Sequence, residues 1–421
     1  MSWFKAMGAP PLRRFLGGYT ASMMGDQMWV PILGWTAGQY GQPVVAGLLL
    51  SVGTVPRALL MLLGGTLVDR HGIQRLAAVT QAGRILTMLA LAAMAAVGVV
   101  THNWIALLVV ALVFGAIDAV NIPALEAAPA LIAEPDQLPR LAGLLQTVGR
   151  LASVAGAPLS GLLIAVGGVP AGAMGCALLF AVALAVLRRA GLPGRRTGTS
   201  GNLGTGVGGL RYIASNPVLR TLIVAIACLN FAIMSSFNVG ITLLVKDHGW
   251  SAAVFGLFEG SFGAGAMVGA VIVVVSRPAR RPALVALGWV AVQIPLLVAL
   301  GFIGSVLWIS VVSALVGLTL GPASALLIGL AQVTADRNYI GRVMSVVGFA
   351  SIGLTPVSYL LFSLVADLAG IGTAFVAGGA LELLVLVMLA VSPALRTTKL
   401  TGSVDGGEQQ PSGGTLVEET P

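Results

Sequence analysis

Charged residues are scarce in this sequence. Only 9% of its 421 residues are Asp, Glu, Lys or Arg, whereas about a quarter of the residues are charged in a soluble globular protein. Hydrophobic residues make up 57%. This composition excludes an ordinary soluble domain and predicts a multi-pass membrane protein.

Cysteine is also nearly absent. The two cysteines, Cys176 and Cys228, lie inside apolar stretches, so the sequence signals neither a disulfide framework nor a metal site. The His-Glu-x-x-His pattern of zinc proteases does not occur. Met23-Met24-Gly25-Asp26 lacks the first glycine of the Gly-x-Gly-Asp intramembrane protease pattern. No enzyme and no cofactor are therefore predicted.

Long apolar runs are what the chain has in abundance. About 20 apolar residues suffice to cross the ~30 Å hydrocarbon core of a bilayer. The first run is longer than the apolar part of a signal peptide and has no convincing cleavage site, so it is expected to remain as the first span. Twelve spans are predicted, at residues 15–37, 43–66, 76–99, 104–130, 139–166, 170–188, 218–245, 252–275, 283–302, 305–332, 341–366 and 370–391.

The formal net charge of +8 comes from residues that lie between the spans. Such residues indicate membrane topology rather than a nucleic-acid site. Of the loops assigned to the outside, the only Lys or Arg is Lys246. Both termini are therefore predicted to be cytoplasmic. The basic residues of the loops assigned to the cytoplasm are Arg70, Arg75, Arg140, Arg188, Arg189, Arg195, Arg196, Arg211, Arg277, Arg280, Arg281, Arg337 and Arg342.

A segment rich in Gly, Thr and Arg, residues 191–209, divides the chain near its middle and is typical of a flexible linker. Pro11-Leu12-Arg13-Arg14 and Pro217-Val218-Leu219-Arg220 form a faint internal repeat at the start of the two halves. The predicted division is a tail 1–14, a six-helix bundle 15–188, a cytoplasmic linker 189–217, a second six-helix bundle 218–391 and a disordered tail 392–421.

Four ionisable residues fall near the middle of predicted spans: Asp26, Arg57, Asp118 and Arg150. A charge at a helix centre costs about 2.5–3.5 kcal/mol on insertion scales, so these groups are expected to pair or to line a wet cavity. One interpretation is that Asp26 or Asp118 neutralises Arg57 or Arg150 and only holds helices together. The other is that the pair binds and releases a proton as its members separate.

Further polar residues are weaker candidates. Glu126 lies two helical turns from Asp118 on the cytoplasmic side, so the two carboxyls form a possible proton step. Glu259 and Glu382 are alternative coupling residues in the second half. Four residues can contact a cargo: Gln146, Asn230, Phe231 and Asn238. Such side chains more often form hydrogen bonds to neighbouring helices or pack against them.

The short turn between the second and third spans carries a motif. Gly65, Asp69, Arg70 and Gly72 match the loop 2–3 signature of the major facilitator superfamily, and Arg75 supports the cytoplasmic side. Ile73 and Gln74 stand where that family usually has basic residues. The resemblance implies that these residues, with Arg342 at the start of the eleventh span, form a cytoplasmic gating latch.

Other stretches resemble one branch of that superfamily, which includes the enterobactin exporter and macrolide efflux proteins. They are Gly25-Asp26, Pro129 with residues 134–140, residues 211–220, and Gly341-Arg342-Val343. This resemblance implies an all-α integral membrane fold of twelve transmembrane helices in two pseudo-symmetric six-helix bundles. One motif departs: of the antiporter pattern Gly-Pro-x-x-Gly-Gly in the fifth span, only Pro158 and Gly161 are kept.

The predicted function is proton-coupled efflux of small amphipathic organic molecules by alternating access. The expected partners are a small-molecule substrate, protons and the lipid bilayer, with no nucleic acid, and the protein is expected to be a monomer in a bacterial inner membrane. A proton-coupled importer of a small polar metabolite and a non-transporting membrane sensor remain alternatives.

Overall fold

A computed structural model of the protein describes residues 10–56, 72–129, 138–191, 206–276, 281–336 and 339–391. In these ranges the chain is helical, with no β-strand. The main helices are α1 (Pro10–Gly38), α2 (Pro43–Pro56), α3 (Ile73–Ala96), α4 (Trp104–Ala127), α5 (138–166), α6 (169–188), α7 (Pro217–Asp247), α8 (Ala252–Val275), α9 (Pro282–Leu300), α10 (Val306–Thr334), α11 (Ile340–Ile352 and Thr355–Ala369) and α12 (Ile371–Val391).

Nine stretches of the described chain are long and apolar enough to cross a membrane. Helices α5 and α6 form one of the nine, because the helical stretch Leu138–Arg188 is interrupted only by a kink at Gly167 and Gly168. Gly168 has φ +70°, a conformation that a side chain disfavours. The all-helical membrane fold is confirmed, while the number of crossings stays a prediction.

Local sequence fixes two helix starts. The Asn103 side chain accepts hydrogen bonds from the backbone N–H groups of Ile105 (3.0 Å) and Ala106 (3.4 Å) before α4. Asn216 caps α7 in the same way, and Pro217 follows it at the first helical position. Both arrangements satisfy backbone donors that a helix start leaves without intrahelical partners.

Hydrogen bonds between residues at the helix ends distinguish the two ends of the molecule. Arg14 donates to the carbonyl of Arg189 at 2.9 Å, and Gln74 donates to that of Arg188 at 3.1 Å. We call this the terminal end, because residues 10, 191 and 391 lie there. At the opposite end the Tyr40 hydroxyl donates to the carbonyl of Val100. We call it the closed end, for the reason given next.

The N-terminal half (α1–α6) and the C-terminal half (α7–α12) pack tightly near the closed end. A Cβ added at Gly34 of α1 would lie 3.0 Å from Thr242 Oγ1 of α7, and one added at Gly47 of α2 would lie 2.0 Å from Ser363 Oγ of α11. Ser51 of α2 also donates to the carbonyl of Pro356 in α11 at 2.7 Å. Small residues therefore let the halves approach closely at this end.

The third close approach joins α5 to α8. A Cβ at Gly161 would lie 2.5 Å from the Ala252 carbonyl oxygen and 2.9 Å from the Gly256 Cα. Gly260 of α8 is in turn packed against Pro158, where an added Cβ would lie 2.3 Å from the ring. The segment that departs from the antiporter motif thus supplies a tight helix–helix contact between the halves.

We expect Gly161→Val to force α5 and α8 apart and to depopulate this conformation. The obstructing atoms are backbone atoms, and overpacking of this kind costs about 1–3 kcal/mol, which corresponds to a roughly 5- to 150-fold shift of an equilibrium. Spin labels at the exposed positions Gln39 and Ser251, in a background without Cys176 and Cys228, report the distance between the halves at the closed end.

The label distances in Gly161→Val should include a longer population than in the parent protein. Gly288→Val is the matched control, because no atom lies within 4 Å of a Cβ added at that position of α9. Identical distance distributions in the two variants would contradict the assignment of α5 and α8 as a closure contact.

Candidate functional site

A fully buried arginine lies midway along α3. The Arg84 side chain is 0% exposed, and Gly83 lets α3 approach α4 closely, since a Cβ there would lie 3.0 Å from Ile117. Arg84 is absent from the residues predicted from the sequence, although its place well inside the predicted span 76–99 is a signal that marks it. An ionised side chain at this depth requires strong compensating partners.

Those partners are two carboxylates. Arg84 Nη2 lies 2.9 Å from Asp26 Oδ1 of α1 and also donates to Asp118 Oδ1 of α4. The side chains of Asp26 and Asp118 are 18% and 7% exposed. The structure therefore joins the two predicted acidic residues through one guanidinium nitrogen and ties three helices together.

The sequence predicts Arg57 or Arg150 as the partner of these carboxylates. Arg57 lies outside the described residues, and the side chain of Arg150 in α5 is likewise not described. The guanidinium that contacts both Asp26 and Asp118 belongs to Arg84. The pairing with Arg57 or Arg150 stays a prediction, and Arg84 of α3 is a cation that is not among the residues predicted from the sequence.

Neutral polar side chains complete the site. Arg84 Nη1 donates to Ser22 Oγ at 3.1 Å, and Gln81 Nε2 donates to the same oxygen at 2.7 Å. When the Asn121 amide oxygen faces Arg84, it accepts from Nη1 at 3.0 Å and Nη2 at 3.2 Å, and the amide nitrogen lies 2.8 Å from Thr80 Oγ1. We call Ser22, Asp26, Thr80, Gln81, Arg84, Asp118 and Asn121 the Arg84 cluster.

Aromatic rings pack against Arg84. The Arg84 Cζ atom lies 5.5 Å from the centroid of Phe114 and 5.0 Å from that of Phe180. Phe114 in turn stacks on Trp29 with a centroid distance of 4.3 Å. The rings attract the guanidinium through their π faces, and they exclude water, which strengthens the ionic interactions inside.

The Arg84 cluster contains two carboxyl groups that contact one guanidinium group. Two carboxyl groups contact the same nitrogen, Arg84 Nη2, so a proton placed on one of them leaves that nitrogen to the other. Asp26 is the more exposed of the two. It lies eight residues, or ~12 Å along the helix, from the close contact at Gly34. Asp26 therefore lies on the same helix as one of the close contacts between the halves.

Other predicted residues lie apart from this cluster. Glu126 is exposed, two turns nearer the terminal end than Asp118. The half-buried Asn230 and Asn238 donate to carbonyls of their own helix, those of Ile226 (2.8 Å) and Met234 (3.0 Å). Phe231 is also half-buried, and the side chain of Gln146 is not described.

The predicted latch is only partly within the described chain. Gly65, Asp69 and Arg70 lie outside the described residues. Gly72 has φ +78° and precedes α3, a backbone conformation that favours glycine. Arg75 is exposed in the first turn of α3, and Arg342 lies in the first turn of α11 with a side chain that is not described. The latch stays a prediction.

The amino-acid sequence matches a known protein family. The sequence model of the Major Facilitator Superfamily matches residues 15–355. The chain is 27% identical over 426 residues to the multidrug efflux pump Tap of Mycolicibacterium fortuitum, covering 93% of this chain and 97% of that protein. It is also 27% identical to Tap of Mycobacterium tuberculosis (strain ATCC 25618 / H37Rv), covering 90% and 93%.

Solved structures share the fold. A bacterial homologue of the iron transporter ferroportin in an inward-facing state superimposes with a TM-score of 0.69 at 16% identity, covering 92% of this chain and 99% of that one. A peptide transporter POT in complex with sulfate gives a TM-score of 0.70 at 14% identity, covering 92% and 95%. At these identities the likeness concerns the fold alone.

Proposed function

The chain belongs to the major facilitator superfamily, whose members are membrane transporters and not enzymes, and from this premise we propose that it exports small amphipathic organic molecules in exchange for protons. The observation that carries the proposal is the sharing of Arg84 Nη2 by Asp26 and Asp118. Three helices meet at this point, so its protonation state bears directly on how they pack.

The proposed coupling step is a proton transfer to one carboxyl of the Arg84 cluster. A proton on Asp26 removes its charge-assisted contact with Arg84, while Asp118 keeps its own. Helix α1 is then held less firmly to α3 and α4, and the balance between the two conformations of the carrier shifts. The route of protons and cargo is proposed to be lined by further polar and aromatic residues. These are Arg57, Glu126, Gln146, Arg150, Asn230, Phe231 and Asn238.

Alternating access requires that the two halves separate at one end as they close at the other. We propose that the closed end faces outward and the terminal end faces the cytoplasm, with both chain termini there. The excess of arginine at the terminal end, including Arg14, Arg75 and Arg220, supports this orientation. In this scheme the latch residues Gly65, Asp69, Arg70 and Gly72 act against the start of α11, near Arg342, when the cytoplasmic side closes.

The direction of transport is proposed from two considerations. The two sequence relatives compared above are named multidrug efflux pumps. The energetics also suffice: one proton moving through 100 mV supplies about 2.3 kcal/mol, and one unit of pH difference adds about 1.4 kcal/mol. Their sum supports a gradient of roughly several hundredfold for one neutral solute.

The direction is tested by dye retention in an efflux-deficient bacterial host. Cells with and without the protein are loaded with a panel of fluorescent amphipathic dyes, and retention is measured before and after a protonophore collapses the proton gradient. We expect expressing cells to retain less of at least one dye, and the protonophore to raise retention to that of cells without the protein.

The alternatives give different results in the same experiment. An importer would show higher retention in expressing cells, falling on addition of the protonophore. A non-transporting sensor would leave retention of every dye unchanged. Asp26→Asn serves as the matched variant, because it should behave like cells without the protein while being present in the membrane at normal amounts.

A further inference from the structure

The C-terminal half contains a buried carboxyl group that is separate from the Arg84 cluster. Glu382, midway along α12, is 0% exposed. Gln293 of α9, also fully buried, donates its Nε2–H to Glu382 Oε1 at 2.7 Å. Thr319 Oγ1 of α10 lies 3.3 Å from Gln293 Oε1. A chain of polar contacts therefore links α10, α9 and α12 in the interior of this half.

Among the side chains that the structure describes, no basic group contacts Glu382. The sequences of α8, α9, α10 and α12 and of Thr355–Ala369 contain no Lys, Arg or His. On α7, which packs against α12, the basic residues are Arg220 and Lys246, near its two ends. Arg342, in the first turn of α11, is the remaining basic residue of helices α7–α12. The Arg84 cluster differs in having its cation in direct contact.

The other titratable groups near Glu382 are few. Helices α9 and α10 carry none. Besides its basic residues, α7 contributes the half-buried Cys228 and, at its closed end, the exposed Asp247, while α11 contributes the buried Tyr359 and the exposed Asp367 at its end. The packing partners of Glu382 thus leave its charge state to be decided by desolvation and by Gln293.

One carboxyl oxygen of Glu382 is buried without a hydrogen-bond partner in the described part of the chain, namely Oε2. An ionised carboxylate in this position would be a buried charge without a countercharge, which costs far more than a neutral acid. Gln293 points an N–H at Oε1, and a positive hydrogen there disfavours a metal cation at that oxygen. A proton on Oε2 removes the buried negative charge and leaves Oε1 free to accept the Gln293 N–H.

We propose that Glu382 is a second proton-binding site of this protein, hydrogen-bonded to Gln293, which Thr319 contacts in turn, and carrying its proton on Oε2 in the conformation described. Release of that proton to water leaves a carboxylate, which the Gln293 N–H continues to stabilise. The site shares no residue with the Arg84 cluster and does not depend on the direction of transport. The two sites differ in chemistry, because the Arg84 cluster contains a cation and the described surroundings of Glu382 are neutral.

Infrared spectroscopy of the full chain in lipid nanodiscs near neutral pH tests this directly. The spectrum of the parent protein minus that of Glu382→Gln should contain the C=O stretch of a protonated carboxyl, which shifts to lower frequency in D2O. Asp367→Asn is the matched control: it removes an exposed carboxyl group, and its difference spectrum should show the loss of carboxylate bands instead.

Gln293→Leu gives a second, independent arm that does not need Glu382 to be replaced. Without the N–H at Oε1 the carbonyl should vibrate at a higher frequency, so the protonated-carboxyl band should shift upward. Carboxylate bands in the Glu382→Gln difference spectrum, or a Gln293→Leu spectrum that changes only in the carboxylate region, would overturn the proposal.

Discussion

Replacement of Arg84 by leucine is expected to abolish transport and to destabilise the protein by about 3–5 kcal/mol, the usual cost of removing one partner of a buried ion pair. The substitution takes away the guanidinium that Asp26 and Asp118 share and that Phe114 and Phe180 enclose. Since whole domains are stable by only about 5–15 kcal/mol, the loss should be plain in thermal unfolding of the purified protein.

Two further variants separate charge from geometry. Arg84→Lys keeps the charge but not the planar fork that reaches several oxygens at once, so it should recover part of the stability and little of the transport. Arg220→Leu removes an exposed arginine of α7 and should change stability by no more than about 0.5 kcal/mol.

A double-mutant cycle then tests the contact itself. Arg84→Leu combined with Asp118→Asn should be less destabilising than the sum of the two single changes, because one substitution removes the charge that the other leaves behind. If Arg84→Leu unfolded at the same temperature as Arg220→Leu, the buried ion-pair cluster would not exist as described.

The second large effect is expected from neutral carboxamides. Asp26→Asn and Asp118→Asn should each reduce proton-driven accumulation of a dye, in proteoliposomes with an imposed pH gradient, to a concentration ratio of about one, against the roughly several hundredfold ratio that the driving forces allow. A carboxamide keeps a polar oxygen next to Arg84 but cannot take up a proton. Downhill exchange of the same dye should persist, since the helices remain in place.

The two variants should differ in stability. Asp118 is more buried than Asp26, so Asp118→Asn should lower the unfolding temperature more. Asp247→Asn, which alters an exposed carboxylate near the closed end of α7, is the matched control and should accumulate dye normally. Normal accumulation by both cluster variants would assign the carboxylates a structural role only.

The sequence predicts the all-helical membrane fold well, because long apolar runs follow directly from the physics of the bilayer. It places Asp26 and Asp118 near the middle of their spans, and the structure brings these two together. It does not reveal their shared partner, since the contact with Arg84 depends on how α3 is rotated against α1 and α4. That rotation is set by packing, for example by the absence of a side chain at Gly83.

Packing also accounts for other features that the sequence does not predict. The Asn230 and Asn238 amides bond carbonyls of their own helix, an outcome that composition cannot distinguish from contact with a cargo. In α7 the chain forms a π-helical turn at Ser236–Ile241 without a proline to cause it. Gly240 in that turn packs against Phe362 and Phe375, where an added Cβ would lie 2.7 Å from each ring.

In the proposed mechanism, cargo and proton move through one coupled cycle at the Arg84 cluster. Its most direct test is proton movement driven by the cargo alone, in proteoliposomes that trap a pH-sensitive dye and receive a drug gradient but no proton gradient. The parent protein should move protons against the drug flux, and Asp26→Asn should pass drug without moving protons. Drug flux without proton movement in the parent protein, or equal proton movement in Asp26→Asn, would contradict the account.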